Sequence, residues 1–329
     1  MAVITNTVRT TGAVGNREEL SDVVSRITPE DTPIYSMIEK GTVKSVHPEW
    51  ETDELAPPGD NAREEGEEYD FDKVDPPARL GNYTQIFRKS WIISGTQEQV
   101  DEAGRVQKRK YQKAKKGVEL RKDVEFSIVS NQGSVGGAVR RSGGLPSWIV
   151  SNVSRGAGGA NGGFVGGFTT PATNGTQRAF TKTILDNVMQ QGYQSGASFK
   201  HVMGSSYVKS VFVTFMSDAN VAPFRYTVSG DGERKTIVAS ADFYEGPFGK
   251  VLVHPNRVMS VNPAVARNVF FIDPDFIEFD WLRKIQEDKE VAKTGDADKG
   301  VIIGEGTLKV GNERGLGVAA DIFGISSAQ

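Results

Sequence analysis

Apolar and polar positions recur along this chain with two periods, one helical and one of two residues. Leu20, Val23, Val24 and Ile27 fall at helical spacing, so residues 17–27 read as a short amphipathic helix. Thr32 then stands at a cap position, Pro33 at the first helical position, and Gly41 where that helix would stop. Short pieces joined by prolines predict an arm over residues 1–41. From Thr42 to Trp50, and again from Leu80 to Ser94, β-branched and aromatic residues predict two strands. Between them lies "ETDELAPPGDNAREEGEEYDFDKVDPPAR", which makes 42–94 a long hairpin with a polar tip. Such an excursion is costly in ordering entropy unless it lies against something.

The next segment carries the strongest helical signal. Thr96-x-x-Gln99 reads as a capping box. Val100, Ala103, Tyr111, Ala114, Val118, Val124 and Ile128 keep an approximate helical period. One helix over 96–130, roughly 50 Å long, is expected. Residues 131–178 then hold thirteen glycines and read as a loop. An α/β unit over 179–265 follows: helix in "TKTILDNVMQQGYQSG", strand in "FKHVM", helix in "SSYVKSVFVTFM", hairpin in "TIVASADFYEGPFGKVLVHP". Residues 266–329 return to strands, in "RNVFFID", "DFIEFDWL" and "GVIIGEGTLKVG". The fold class is α+β.

Composition removes chemistry more than it adds any. The 329 residues contain no cysteine, which excludes disulfides, thiolate catalysis and cysteine-based zinc sites. A net charge of −3 gives no general attraction to nucleic acid or acidic membranes. The N-terminus lacks the apolar core of a signal peptide, and no stretch approaches a membrane span, so the expected compartment is the cytoplasm. Asp296 and Asp298 match the first and third positions of a calcium loop, but Val301 and Thr307 stand where glycine and glutamate are needed. Gly315-Leu-Gly317-Val-Ala-Ala320 matches a dinucleotide fingerprint with no room after it for the rest of that motif. His47, His201 and His254 each stand alone, without a second ligand at metal spacing. No catalytic, cofactor or metal site is expected.

Charge patterning does rise above background. Residues 49–75 hold twelve acids against Arg63 and Lys73, and residues 105–122 hold nine bases against Glu119. A single charge run is usually a solvated face. Two opposed blocks, on a projecting hairpin and a helix, predict a contact between copies. Glu51, Asp53, Glu64, Glu65, Glu67 and Glu68 of one copy would meet Lys108, Arg109, Lys113 and Lys116 of another. The basic helix has a rival reading as a phosphate-binding surface with Tyr111 available to stack, which the neighbouring acids oppose.

The order of parts resembles the major capsid proteins of tailed bacteriophages, the Johnson or Hong Kong 97-type fold. Local wording agrees with one branch of them: "DTPIYSMIEKG", "HPEWETDEL", "NYTQIFRKSWIISGT", "FYEGPFGKVLVHPNRVM" and "AKTGDADKGVIIGEGTLKVGNERGLGV". The likeness covers most of the chain outside 131–178, which looks like a variable insertion. The resemblance implies an N-terminal arm over 1–41 and an extended loop over 42–94. It implies a peripheral domain, with its spine helix and the glycine-rich insertion over 95–178 and its closing strands over 266–329. An axial domain would span 179–265. It further implies hexamers and pentamers in an icosahedral virion shell around double-stranded DNA, assembled in the bacterial cytoplasm. Scaffolding, portal and cement proteins are possible partners; no membrane is. The segment 294–317 would be a polar turn leading into a peripheral strand pair. Two alternatives stay open at this point: a cellular nanocompartment shell of the encapsulin kind, and an enzyme with dispersed carboxylates.

Overall fold

The computed structural model describes residues 28, 30–69, 71, 73, 74, 76–100, 108–215, 242–288, 290–292 and 295–323. Two sheets carry it. A four-stranded sheet runs in the order β1 (Glu39–Thr42), β12 (Ile277–Asp288), β13 (Ala297–Val310), β4 (Gln85–Ser94). The second, of six strands, runs β5 (Asn152–Ser154), β14 (Leu316–Ala319), β11 (Val269–Ile272), β8 (His201–Gly204), β10 (Gly249–Pro255), β9 (Phe243–Gly246).

Of the long strands only β4 keeps a period of two; β13, where that period was expected, is buried continuously from Gly304 to Leu308. On β4, Phe87 and Trp91 are buried while Ile86, Arg88, Ser90 and Ile92 face outward. β13 pairs antiparallel with β12 on one side and β4 on the other. The tract opening at residue 294 is therefore, from Ala297, the middle of a sheet. Gly300 lies where a Cβ would strike the Trp91 ring, so the glycine permits this close cross-strand packing. β11 differs in being apolar throughout. Phe270 and Ile272 join one core with Trp148, Phe279 and Leu316, while Val269 and Phe271 join a second with Leu185, Phe199 and Phe212. A central strand covered on both faces needs a continuous apolar run, and "VFFI" supplies it.

Helices α4 (Lys182–Ser195) and α5 (Ser206–Phe215) match their expected positions. The Thr181 hydroxyl accepts from the Ile184 amide, and Gly196 closes α4 in the left-handed region at φ 86°. Their unit shares its sheet with β5 from the glycine-rich tract and with β11 and β14 from the C-terminal part.

Four expectations need correction. Helix α1 is only Pro33–Met37, and Glu39–Thr42 pairs in parallel with β12 where a continuing helix was expected. The hairpin over 42–94 is a short ribbon: β2 (Glu49–Thr52) pairs with β3 (Ala78–Gly81), and β4 leaves it for β13. The expected single helix over 96–130 is interrupted. Helix α2 (Gly95–Gln99) is capped by Ser94, not Thr96, and Val100 is extended; α3 (Lys108–Val129) is a separate helix of 22 residues, roughly 33 Å long. Propensity favoured continuation, but Val100 gives the chain no apolar face to bury there and is exposed.

The fourth correction concerns residues 131–178, which fold into the core. Leu145, Trp148 and Ile149 are buried, and β6 (Gly163–Val165) pairs with β7 (Phe168–Thr170). The glycines here serve close backbone approach. A Cβ at Gly144 would collide with the carbonyl of Ser130. Asp321, in the left-handed region at φ 62°, accepts from the amides of Gly156 (3.0 Å) and Gly175 (2.8 Å) and ties the tract to the end of β14. The predicted helix over 17–27 lies outside the described residues.

Candidate assembly surfaces

The ribbon β2–β3 is rooted firmly. Trp50 packs against Trp148, with ring centroids 5.7 Å apart and tilted by 35°, and donates its indole N–H to the Val310 carbonyl at 2.8 Å. Glu49 pairs across the ribbon with Arg79. Beyond Thr52 the chain leaves regular structure, with a turn at Glu65 and Gly66, where φ is 90°. Every described residue from 53 to 69 is exposed. So are large apolar side chains: Leu55 at 98%, Phe71 at 94% and Val74 at 89%. Glu54 meets Arg314 at 2.7 Å.

The acids singled out from the sequence stand on this projection. Glu51, Glu64, Glu65 and Glu68 have no ion-pair partner among the described residues. Asp53 accepts from the Glu54 amide at 2.8 Å, and Glu67 lies 3.7 Å from Arg63. The bases are placed differently. Lys113 contacts Glu287 of β12 at 2.7 Å, and Arg109 contacts the same carboxylate at 3.2 Å and Asp298 at 3.6 Å. Lys113 first, then Arg109, holds the Glu287 carboxyl below the usual range. Lys116 pairs with Glu119 at 2.8 Å. Lys108 is the first described residue of α3. Part of the basic block is thus spent on the chain's own sheet, while exposed Lys110 and Arg121 have no ion-pair partner among the described residues.

Three polar junctions were not singled out from the sequence. Glu125, on the buried face of α3, accepts the amides of Ile34 (3.1 Å) and Tyr35 (2.7 Å) and the Asn256 side-chain amide (2.6 Å). It caps α1 in place of Thr32, whose hydroxyl reaches Ser36 instead. Asn256 in turn caps α6 (Arg257–Val261) through the amides of Val258 and Met259. Burial raises the Glu125 pKa, and the three donors oppose that rise. A carboxylate beside Val124, within the apolar run Leu120–Val124–Ile128, was the available signal.

Glu305 is the second junction. It is buried between Thr84 (2.9 Å), Arg140 (2.7 Å) and Arg283 (2.9 Å), which joins β13 to the start of β4, the glycine-rich tract and β12. The third corrects the reading of isolated histidines. His201 Nδ1 and His254 Nε2 lie 3.1 Å apart on the paired strands β8 and β10. Parallel pairing with His254 opposite Met203 sets these side chains side by side, which separation along the chain had hidden. No group of three or more metal-ligating side chains occurs among the described residues.

What the described residues present here is exposed charge and exposed apolar surface. A family model described as the SU10 major capsid protein matches residues 4–323. The major capsid protein of Escherichia phage Phieco32 is 34% identical over 119 residues, 36% of this chain and 34% of that protein, so the match spans about a third of the relative's length. In fold, the chain is similar to the capsid of a native GTA particle (TM-score 0.63, 11% identity, 95% of this chain and 98% of that one). It is equally similar to the capsid of Cyanophage A-1(L) (TM-score 0.63, 12% identity, 97% and 99%). The SrpI encapsulin of Synechococcus elongatus PCC 7942 shares the fold at TM-score 0.57 and 10% identity, over 96% of this chain and 94% of that one. With nearly its whole length matched by the family and its fold shared with phage capsids, this chain belongs to the SU10 major capsid protein family and has the Hong Kong 97-type fold.

Proposed function

We propose that this chain is the structural shell subunit of a tailed-phage head, with copies gathering into hexamers and pentamers that close around double-stranded DNA. The observation that carries this reading is the bare apolar surface on the projecting segment. Leu55, Phe71 and Val74 stand in solvent on a strand-rooted finger, a cost that contact with a second copy would remove. On this reading residues 1–41 are the arm, 42–94 the extended loop, 95–178 and 266–329 the peripheral domain, and 179–265 the axial domain.

The acidic finger, with Glu51, Asp53, Glu64, Glu65, Glu67 and Glu68, would lie across the basic helix of a neighbour. It would approach Lys108, Arg109, Lys113 and Lys116, with Lys110 and Arg121 offering charge not engaged at home. Each exposed pair contributes only ~0.2–1 kcal/mol, so the array would set direction and register while the apolar side chains supply adhesion. A net charge of −3 suits a wall that contains DNA without gripping it. Assembly in the host cytoplasm, with help from scaffolding, portal or cement proteins, completes the proposal. An encapsulin-like shell shares the fold, but the phage family match over 4–323 favours the head.

Negative-stain microscopy of the purified protein tests the reading. Hollow shells or capsomer rings are expected; dispersed monomers at every concentration and salt would sink it. A shell that copurifies with a cargo enzyme, and not with phage components, would turn it toward the encapsulin reading.

A further inference from the structure

A groove lies between α3 and α6, beside the point where the described chain begins. Phe126 of α3 is 47% exposed and Val261 of α6 is 81% exposed, and Val258 lines the groove with them. The charged residues lining it are Asp31, Lys122, Asp123 and Arg257. Asp31 lies 3.5 Å from Arg257, so the chain arrives at the groove wall from its N-terminal side. Nothing else among the described residues covers the two exposed apolar side chains.

We infer that this groove is the docking site for the chain's own residues 17–27, seated through Leu20, Val23, Val24 and Ile27. Three observations select this occupant. The four apolar residues fall at i, i+3, i+4 and i+7, the anchor spacing of an amphipathic helix in a groove. Ile27 is four positions before Asp31, a span of at most ~14 Å at ~3.3–3.6 Å per residue, which brings the stripe within reach. Charge also agrees. Asp123 is held by Lys89 at 2.6 Å and Asp31 by Arg257, whereas Lys122 has no carboxylate partner among the described residues. The segment brings Glu18, Glu19 and Asp22 against Arg17 and Arg26, a net of −1.

A helix of this length is marginal alone and needs a surface to hold it. The short tether raises the effective concentration of the chain's own segment toward the millimolar range, above that of a free competitor. Docking would bind the arm to α6, which Asn256 and Glu125 already connect to α1, so the arm's root would be held from two sides.

Site-specific photocrosslinking of the whole chain tests the inference. p-Benzoylphenylalanine is placed at Phe126 and, separately, at the more exposed Val261, in protein mixed from isotopically heavy and light chains. The expected adducts join these positions to a peptide within residues 17–27 carrying the same label. Val23→Glu combined with Val24→Glu should lower the adduct yield at least tenfold while circular dichroism stays unchanged. Mixed-label adducts would assign the groove to a neighbour's segment; adducts to any other peptide, or none at either position, would leave it to another surface. Any of these three results overturns the inference.

Discussion

Glu125 accepts the backbone amide of Tyr35 at 2.7 Å, although ninety positions separate them. One buried carboxylate on the long helix thus caps the first short helix of the described chain and, through Asn256, a third helix. Replacing Glu125 by Ala would strand buried donors and cost roughly 2–3 kcal/mol. Denaturant unfolding of the unassembled subunit would measure the loss. The pH dependence has a definite sign. Because burial raises the pKa in the fold, this group's stabilising contribution is complete below the ordinary carboxylate value and fades as pH rises through the raised one. Glu125→Gln should remove that decline.

Glu305 should act in the opposite sense. Burial works against its charge, but Thr84, Arg140 and Arg283 together outweigh burial and lower its pKa. Its contribution is present above the ordinary carboxylate value and lost as pH falls through the lowered one. Glu305→Ala, which leaves Arg140 and Arg283 facing a gap, should cost about 3–5 kcal/mol. Glu305→Gln should shift the midpoint of acid unfolding upward, read by tryptophan fluorescence against pH.

The histidine pair makes a third, independent prediction. Burial lowers both pKa values, with His254 and Lys200 adding to the effect on His201 and Lys209 to that on His254. Both rings should titrate below the ordinary value of about 6.5 in imidazole NMR spectra. Their contribution to stability is present above that value and lost as pH falls through the lowered ones. His254→Gln should raise the His201 pKa; an unchanged titration would show that the 3.1 Å contact carries no coupling.

Reversing Glu64, Glu65, Glu67 and Glu68 to lysine separates folding from assembly. These acids are exposed and touch no core side chain, so subunit stability should change by less than about 0.5 kcal/mol. Assembly should slow by at least tenfold at low salt, with the difference shrinking as salt screens the charges. Light scattering would follow it. Reversing Lys113 is a poorer test, because it would also break the contact with Glu287 inside the subunit.

Strands whose burial alternates, such as β4, were legible in advance, as were α4 and α5 with their apolar stripes. What escaped depended on distant partners. Residues 80–94 read as one strand, but Asn82 turns inward, and its side chain meets Gly143 and the Leu308 carbonyl at 2.7 Å. That inward turn separates β3 from β4 and sends each to a different sheet. Glycine carried the other misreading. In 131–178 it suggested looseness, whereas at Gly144 it marks backbone packed against backbone. Of the proposed assembly surface, the acidic finger was visible as a charge run. The home pairing of Arg109 and Lys113 was not, because Glu287 lies more than 170 positions away.

The four-stranded sheet also constrains synthesis. Strands β1 and β4 are made early, yet their hydrogen-bonding partners β12 and β13 span residues 277–310. A nascent chain therefore leaves these two strands without their sheet partners until residues 277–310 have emerged, more than 180 positions after β4. Any chain cut short before that point lacks the middle of the sheet and exposes two unpaired edges.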